Sequence, residues 1–467
     1  MMSLLARSLP SPGTQQAIKE VDSLLARLRT DLTKHDLSAQ DQKVSLEKLK
    51  VLGRQPSNSG AIFAEDGISL LCTYAFDQND LDVAHEASRC LANAMLLSEP
   101  SRQVFLDLGY AEKAVKCLAK DDRDDEFLLS RIIFLLTYGT TVDLTVLVRD
   151  LGLAKNICKN IASHARRLED PNEPRHPMDD MALAETLKLL FNVTAKVPEL
   201  AENFADSVAD LFTILTSREF PSLPLQSPVD LILNALMNLD IPPRCASNHA
   251  YTERLLGLLE SCVTNYPERE LDKAAMPLVT LLRKFYTAAS QENKQTMQAR
   301  LLPDDSARSQ PLGKDDSLPS RLLRLSASAS LLQLHQNIST LLFELSDSDA
   351  TKFIHNIGYG YAAGFLASNN IDVPQSAMQN GSASGTTTSS NVTEINDDSD
   401  DDINPITGQR RAAEPVDDLP EMTQEEKERE AERLFVLFER LRATGVVDVK
   451  NPVQQAMDEG RFEELDD

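Results

Sequence analysis

The chain has 467 residues, 42% of them apolar and 25% charged, with no Trp and 5% aromatic side chains, which favours helical packing and excludes an aromatic-rich β-sandwich. Lys and Arg number 47 against 72 Asp and Glu, a net charge of −25, so phosphate backbones and anionic lipid heads are poor partners and a basic protein surface is the natural complement. Residues 391–467 alone hold 23 acidic and 9 basic side chains, a net −14.

The opening stretch MMSLLARSLPSPG lacks the apolar segment of a secretory leader, and no apolar run reaches the roughly 18 residues that span a bilayer. The six cysteines include no C-x-x-C, and most fall within apolar helical patterns, as buried thiols do in a reducing cytosol. A cytoplasmic protein is expected.

From residue 50 a repeat emerges. The segments LKVLGRQPSNSGAIFAEDGISLLCTYA, LANAMLLSEPSRQVFLDLGYAEKAVKCL and LLTYGTTVDLTVLVRDLGLAKNICKNI each run from a helix end through a polar turn to a glycine and a second amphipathic helix. The glycines, Gly67, Gly109 and Gly152, are spaced by 42 and 43. A fourth copy places Ser207 in that position after 55 residues, and the surplus of about 12 matches the Pro-rich stretch 169–180. A divergent copy brings Gly358 to the same place. A helical period of 40 to 47 marks armadillo and HEAT arrays, whose units bury their apolar faces only on their neighbours. The predicted fold is therefore an all-α armadillo/HEAT-like solenoid over residues 1–371, with insertion loops near 169–180 and 303–320. The glycines suit helix junctions with φ > 0.

Residues 372–422 are rich in Ser, Thr, Asn, Gly and Asp, include the acidic run DDSDDD at 397–402, and are predicted to be a disordered acidic linker. Helical order is predicted to return over 423–467. Thr423 and Glu426 form a capping-box pattern, and Leu434, Phe435, Phe438 and Leu441 follow at helical spacing. A short further helix is expected after Asn451-Pro452.

No metal spacing, P-loop, G-x-S-x-G or H-E-x-x-H is found, so neither metal nor cofactor is expected and recognition is a better reading than covalent chemistry. His164 and His176, the nearest approach to a metal pair, are read as exposed. The run Gly358-Tyr359-Gly360 follows a helical segment rather than a strand and reads as a tight helix junction, not a dinucleotide loop. On an array of this kind the last helix of each repeat lines a concave groove. Asn93, Asn192, Asn234 and Asn238 interrupt apolar helices there, either to bond a guest backbone or to tie one helix end to the next turn. Lys50 and Arg54, at i and i+4, would present paired cations to a carboxylate or stand on a solvated face. Phe134 and Tyr138 share that spacing and are read chiefly as core packing.

The order FIHNIGYGYAAGFLA (353–367), acidic run, INPITG (403–408) and MTQEEKEREAERLFVLFERL (422–441) resembles the synembryn family, and RCLANAML and KLLFNVTA are similar to its groove helices. The resemblance implies a cytosolic chaperone and guanine-nucleotide exchange factor for heterotrimeric G-protein α subunits, monomeric and recruited to the cell cortex through Gα. It also implies that the Gα C-terminal helix lies near Lys50, Arg54, Asn93, Phe134, Tyr138, Asn192, Asn234 and Asn238, while Leu434, Phe435, Phe438 and Leu441 grip the GTPase face. Because the chain ends soon after the Thr423 helix, a fungal-type member is expected. Ser399, followed by three Asp, fits an acidophilic casein-kinase-type kinase, and modification there is expected from the resemblance. The competing reading is a passive armadillo-type adaptor that holds a peptide without touching nucleotide exchange.

Overall fold

The structure, a computed structural model, describes residues 12–219, 221–373 and 403–414 and the single positions 423, 429 and 433. The chain divides into two units, residues 1–412 and 413–467, and the fold below is that of the first.

The first helices are α1 (Pro12–Lys34), α2 (Ala39–Leu52), α3 (Gly60–Phe63), α4 (Glu65–Phe76), α5 (Leu81–Leu97), α6 (Glu99–Asp107), α7 (Tyr110–Cys117) and α8 (Arg123–Leu136). The middle holds α9 (Leu153–Glu169), α10 (Pro177–Lys196), α11 (Ser207–Thr216), α12 (Val229–Asn238), α13 (Pro243–Ala246) and α14 (His249–Asn265). Last come α15 (Glu268–Ala274), α16 (Met276–Ala288), α17 (Gln291–Leu301), α18 (Leu318–Ser326), α19 (Leu334–Leu345), α20 (Ala350–Ile357) and α21 (Tyr359–Ser368). Among the described residues there is no strand, and one isolated β-bridge joins Ile403 to Arg410. The molecule is an α-solenoid, as the repeat predicts.

Helices α2, α5, α8, α10, α12, α16 and α19 pack each on the next in one continuous row. A second row, built from α4, α7, α9, α11, α14 and α17, lies against it. Between them runs a core of Leu, Ile, Val and Ala, with Phe212 stacked on Tyr251 at 4.8 Å and meeting Phe285 edge-on at 5.7 Å. The sequence period becomes a spatial one through hydrogen bonds between residues about one repeat apart. Asn156 Nδ2 donates to Val115 O at 2.7 Å, Asn293 Nδ2 to Ala246 O at 2.9 Å and Lys284 Nζ to Leu239 O at 2.7 Å. Each satisfies a carbonyl at or near the end of the preceding element, where helical backbone runs out of partners.

Gly109 and Gly152 take positive φ, +77° and +78°, immediately before α7 and α9. Gly67 departs from expectation: it lies inside α4 and is buried, and a Cβ there would collide with the Ala61 and Ile62 carbonyls of α3. Close approach, not a left-handed turn, requires that glycine. Ser207 is the first residue of α11.

The predicted disordered linker contains an ordered return. Residues 403–410 turn back onto the α20–α21 junction, where Tyr359 N donates to Pro405 O at 2.7 Å and Gly360 N to Ile406 O at 3.0 Å. Arg308, buried within the 303–320 loop, donates to Gly408 O at 2.9 Å and His355 O at 3.1 Å. Gly358 thus serves as the helix junction, and it and Gly360 form a close backbone dock for INPITG. Composition averaged over 372–422 hides that short segment.

Candidate partner-binding face

The predicted groove residues fall on consecutive members of the first row, on α2, α5, α8, α10 and α12 or just past their ends. The structure sorts them into open and committed groups.

Asn93, half-buried on α5, and Asn234, half-buried on α12, direct no hydrogen bond to any described residue. Tyr138 lies two residues beyond α8 and is 41% exposed; its ring meets Phe134 edge-on at 5.3 Å, and Lys196 Nζ stands 5.0 Å from its centroid. Phe134 is half-buried and packs against the core, as expected, whereas Tyr138 stands at the surface. Arg102 donates to Met95 O at 2.7 Å and Tyr138 O at 3.3 Å, tying the end of α5 to that of α8. Leu96 and Leu97, 48% and 40% exposed, therefore share one end of the row with Tyr138. Sequence reasoning missed both leucines, because at the end of an apolar helix nothing in their spacing separates an open position from a core one.

Asn192 is buried and spent on the fold: its Nδ2 donates to Thr137 Oγ1, and its Oδ1 accepts from Tyr138 Oη at 3.1 Å. Asn238 ties α12 to α10 through Phe191 O at 3.3 Å and Thr194 Oγ1 at 3.1 Å. Both have the tying role that was the alternative for this residue type.

The paired-cation reading of Lys50 and Arg54 needs correction. Lys50 Nζ donates to Glu86 Oε2 at 2.6 Å, and Glu86, buried on α5, also accepts from Arg89, which reaches Asp124 of α8 at 2.6 Å. That chain of charges crosses three helices and neutralises Lys50 internally. Arg54 lies beyond α2, which ends at Leu52, so the two side chains do not share a helical face.

Another missed residue is Asp230, one turn before Asn234. It lines a hollow with Asn234, Tyr266 and Lys273, one of its carboxylate oxygens is buried without a hydrogen bond, and burial raises its pKa above the usual carboxylate range. On α5, His85 sits 3.1 Å from Asp125, which raises the imidazole pKa despite the opposing effect of burial. His85, Asp122 and Asp124 bring possible ligand atoms within 4.8 Å of one another. Each is otherwise engaged: His85 with Asp125, Asp124 with Arg89, and Asp122 with the first turn of α8. His164, expected to be exposed, is buried against Glu126 at 3.0 Å, while His176 caps α10. They form no metal pair.

Leu434, Phe435, Phe438, Leu441, Ser399 and the Glu426 partner of Thr423 lie outside the described residues. Among the described residues no helix is long and apolar enough to cross a membrane.

The model of the family described as guanine nucleotide exchange factor synembryn matches residues 45–461. A synembryn-like chaperone of Schizosaccharomyces pombe is 26% identical over 413 residues, covering 81% of this chain and 76% of that protein. The chaperone Ric-8A of Bos taurus is 24% identical, covering 89% and 84%. Among solved structures, an engineered protein superposes at a TM-score of 0.40 with 19% identity over 58% of this chain and 98% of its own.

Proposed function

Because the chain belongs to the synembryn family of guanine nucleotide exchange factors, we propose that it is an exchange factor and folding chaperone for a heterotrimeric G-protein α subunit, held by its C-terminal helix along the first row of the solenoid. The observation that carries this reading is a strip of part-exposed side chains on that row: Asn93, Leu96, Leu97, Phe134, Tyr138 and Asn234, of which Asn93 and Asn234 make no hydrogen bond to a described residue. Carboxamides without a described partner and half-covered apolar side chains on α5, α8 and α12 match an amphipathic helix, whose apolar face needs a groove and whose end groups need partners. Leu434, Phe435, Phe438 and Leu441 belong to the same proposal as the grip on the GTPase face, and Ser399 as its modification site.

Exchange then needs no catalytic group. A partner that binds empty Gα more tightly than the GDP form weakens GDP binding by the same factor, and about 3 kcal/mol of coupling gives roughly 150-fold. Drawing the C-terminal helix onto the solenoid withdraws support from the guanine pocket, and the same hold shields the apolar surface of an empty subunit until GTP binds.

The test measures GDP release and complex formation with intact Gα and with Gα lacking its C-terminal helix. Faster release from the intact subunit and loss of binding to the truncated one are expected, with Asn93→Ala plus Asn234→Ala weakening the intact complex roughly tenfold. Equal affinity for both subunits overturns the groove assignment, and binding without accelerated release makes the protein a passive adaptor.

A further inference from the structure

Beside that row, the 169–180 insertion covers a small cavity. The cavity, of about 70 Å³, lies among the end of α9, the insertion, the start of α10 and the residues after α11. It has room for a few waters or one compact ion.

Each carboxylate of its walls already holds an arginine, and Arg167 also faces Asp121 at 3.6 Å. Asp179 takes Arg123 at 2.6 Å, Asp180 takes Arg218 at 2.6 Å, and Glu173 takes Arg123 at 3.1 Å. Behind the wall, Glu126 is held by His164 and by Thr186 at 2.7 Å. Arg167 Nη2 donates to His164 Nδ1 at 3.0 Å, which makes that nitrogen an acceptor and leaves His164 no lone pair for a ligand. The Nε groups of Arg167 and Arg218 are nevertheless buried without a hydrogen bond; the nearest oxygen to the first, of Asp179, is 3.3 Å away and out of line. Arg175, also on the wall, has no ion-pair partner among the described residues. Buried guanidinium N–H groups are rarely left unmatched, and where they are, an absent ion or water is the usual explanation.

We infer that this cavity is a binding site for a phosphate group, held by Arg167, Arg175 and Arg218. A tetrahedral oxyanion supplies several acceptors in the space of one small ion, and guanidinium forks match it closely. His176, whose Nδ1 is occupied by the Met178 amide at 3.2 Å, keeps its other ring nitrogen for the same ligand.

The experiment uses the full chain and inorganic phosphate. Thermal melting and titration calorimetry are run in phosphate and in chloride at matched ionic strength. A saturable rise in melting temperature specific to phosphate is expected, as for any ligand that binds only the folded state. Arg175→Ala, at an exposed position, is expected to weaken phosphate roughly tenfold with melting in chloride unchanged, and Arg218→Ala to remove the effect. If Arg218→Ala does not fold, Arg175→Ala decides alone. No phosphate-specific shift in the wild type, or the same shift in Arg175→Ala, overturns the site. Phosphoserine added as a competitor separates the sources: competition at or below the phosphate concentration assigns a phosphorylated side chain, whereas failure to compete assigns the free ion, and both uphold the site.

Discussion

Asn93 and Asn192 occupy the same kind of position on two helices of one row, yet one is half-buried with no hydrogen bond to a described residue and the other is buried against Thr137 and Tyr138. Their substitutions should therefore separate folding from binding. Asn192→Ala removes the buried link to Thr137 and Tyr138 and is expected to cost about 1–3 kcal/mol of stability in calorimetric melting. Asn93→Ala should leave stability within about 0.5 kcal/mol and act only on partner affinity. A pattern such as L-x-N identifies the residue type, but which carboxamide is spent depends on whether the neighbouring repeat ends in a donor or acceptor within reach. Lys50 teaches the same: Glu86, which neutralises it, is 36 residues away. His85 offers a pH test. Its folded pKa is raised by Asp125, so its stabilisation is complete below the unfolded value of about 6.5 and is lost as pH rises through the folded value. The stability difference between wild type and His85→Gln should accordingly shrink above pH 6.5; a constant difference from pH 5 to 9 counts against the ion pair.

At the scale of elements, the return of residues 403–410 decides where the main fold ends. Gly358 holds φ +78° with Ile406 O close by, and Gly408 holds φ +68° against Leu312, positions where a side chain meets both backbone strain and a collision. Gly408→Val should therefore release the segment while leaving the helices intact. Limited trypsin digestion after Arg410 is the readout, expected to accelerate roughly tenfold with helical circular dichroism unchanged; wild-type cleavage rates in the variant would mean that the dock is not held by these contacts. The segment is polar and short, and what orders it is backbone hydrogen bonding to a distant glycine run, a signal that neither hydropathy nor helical periodicity carries.

Over the whole molecule, stability should be distributed along the array. Each repeat touches mainly its neighbours, so damage should spread locally. Leu341→Ala, at a fully buried site on α19, is expected to cost about 2–5 kcal/mol and to raise amide exchange in α16 to α21 far more than in α2 to α8. Uniform acceleration across both ends would instead indicate a single cooperative core. The sequence alone determined that the protein is a helical repeat array and roughly where its units begin, because a 42- to 43-residue period of apolar faces is a local property that stacking must satisfy. Only the tertiary structure decided which residues on those faces are spent on the fold, that Lys50 is neutralised, that part of the linker docks and that an insertion lies over two arginine Nε groups without a hydrogen bond. Those outcomes depend on partners a repeat or more away along the chain, and burial and hydrogen-bond satisfaction are settled only once such partners meet.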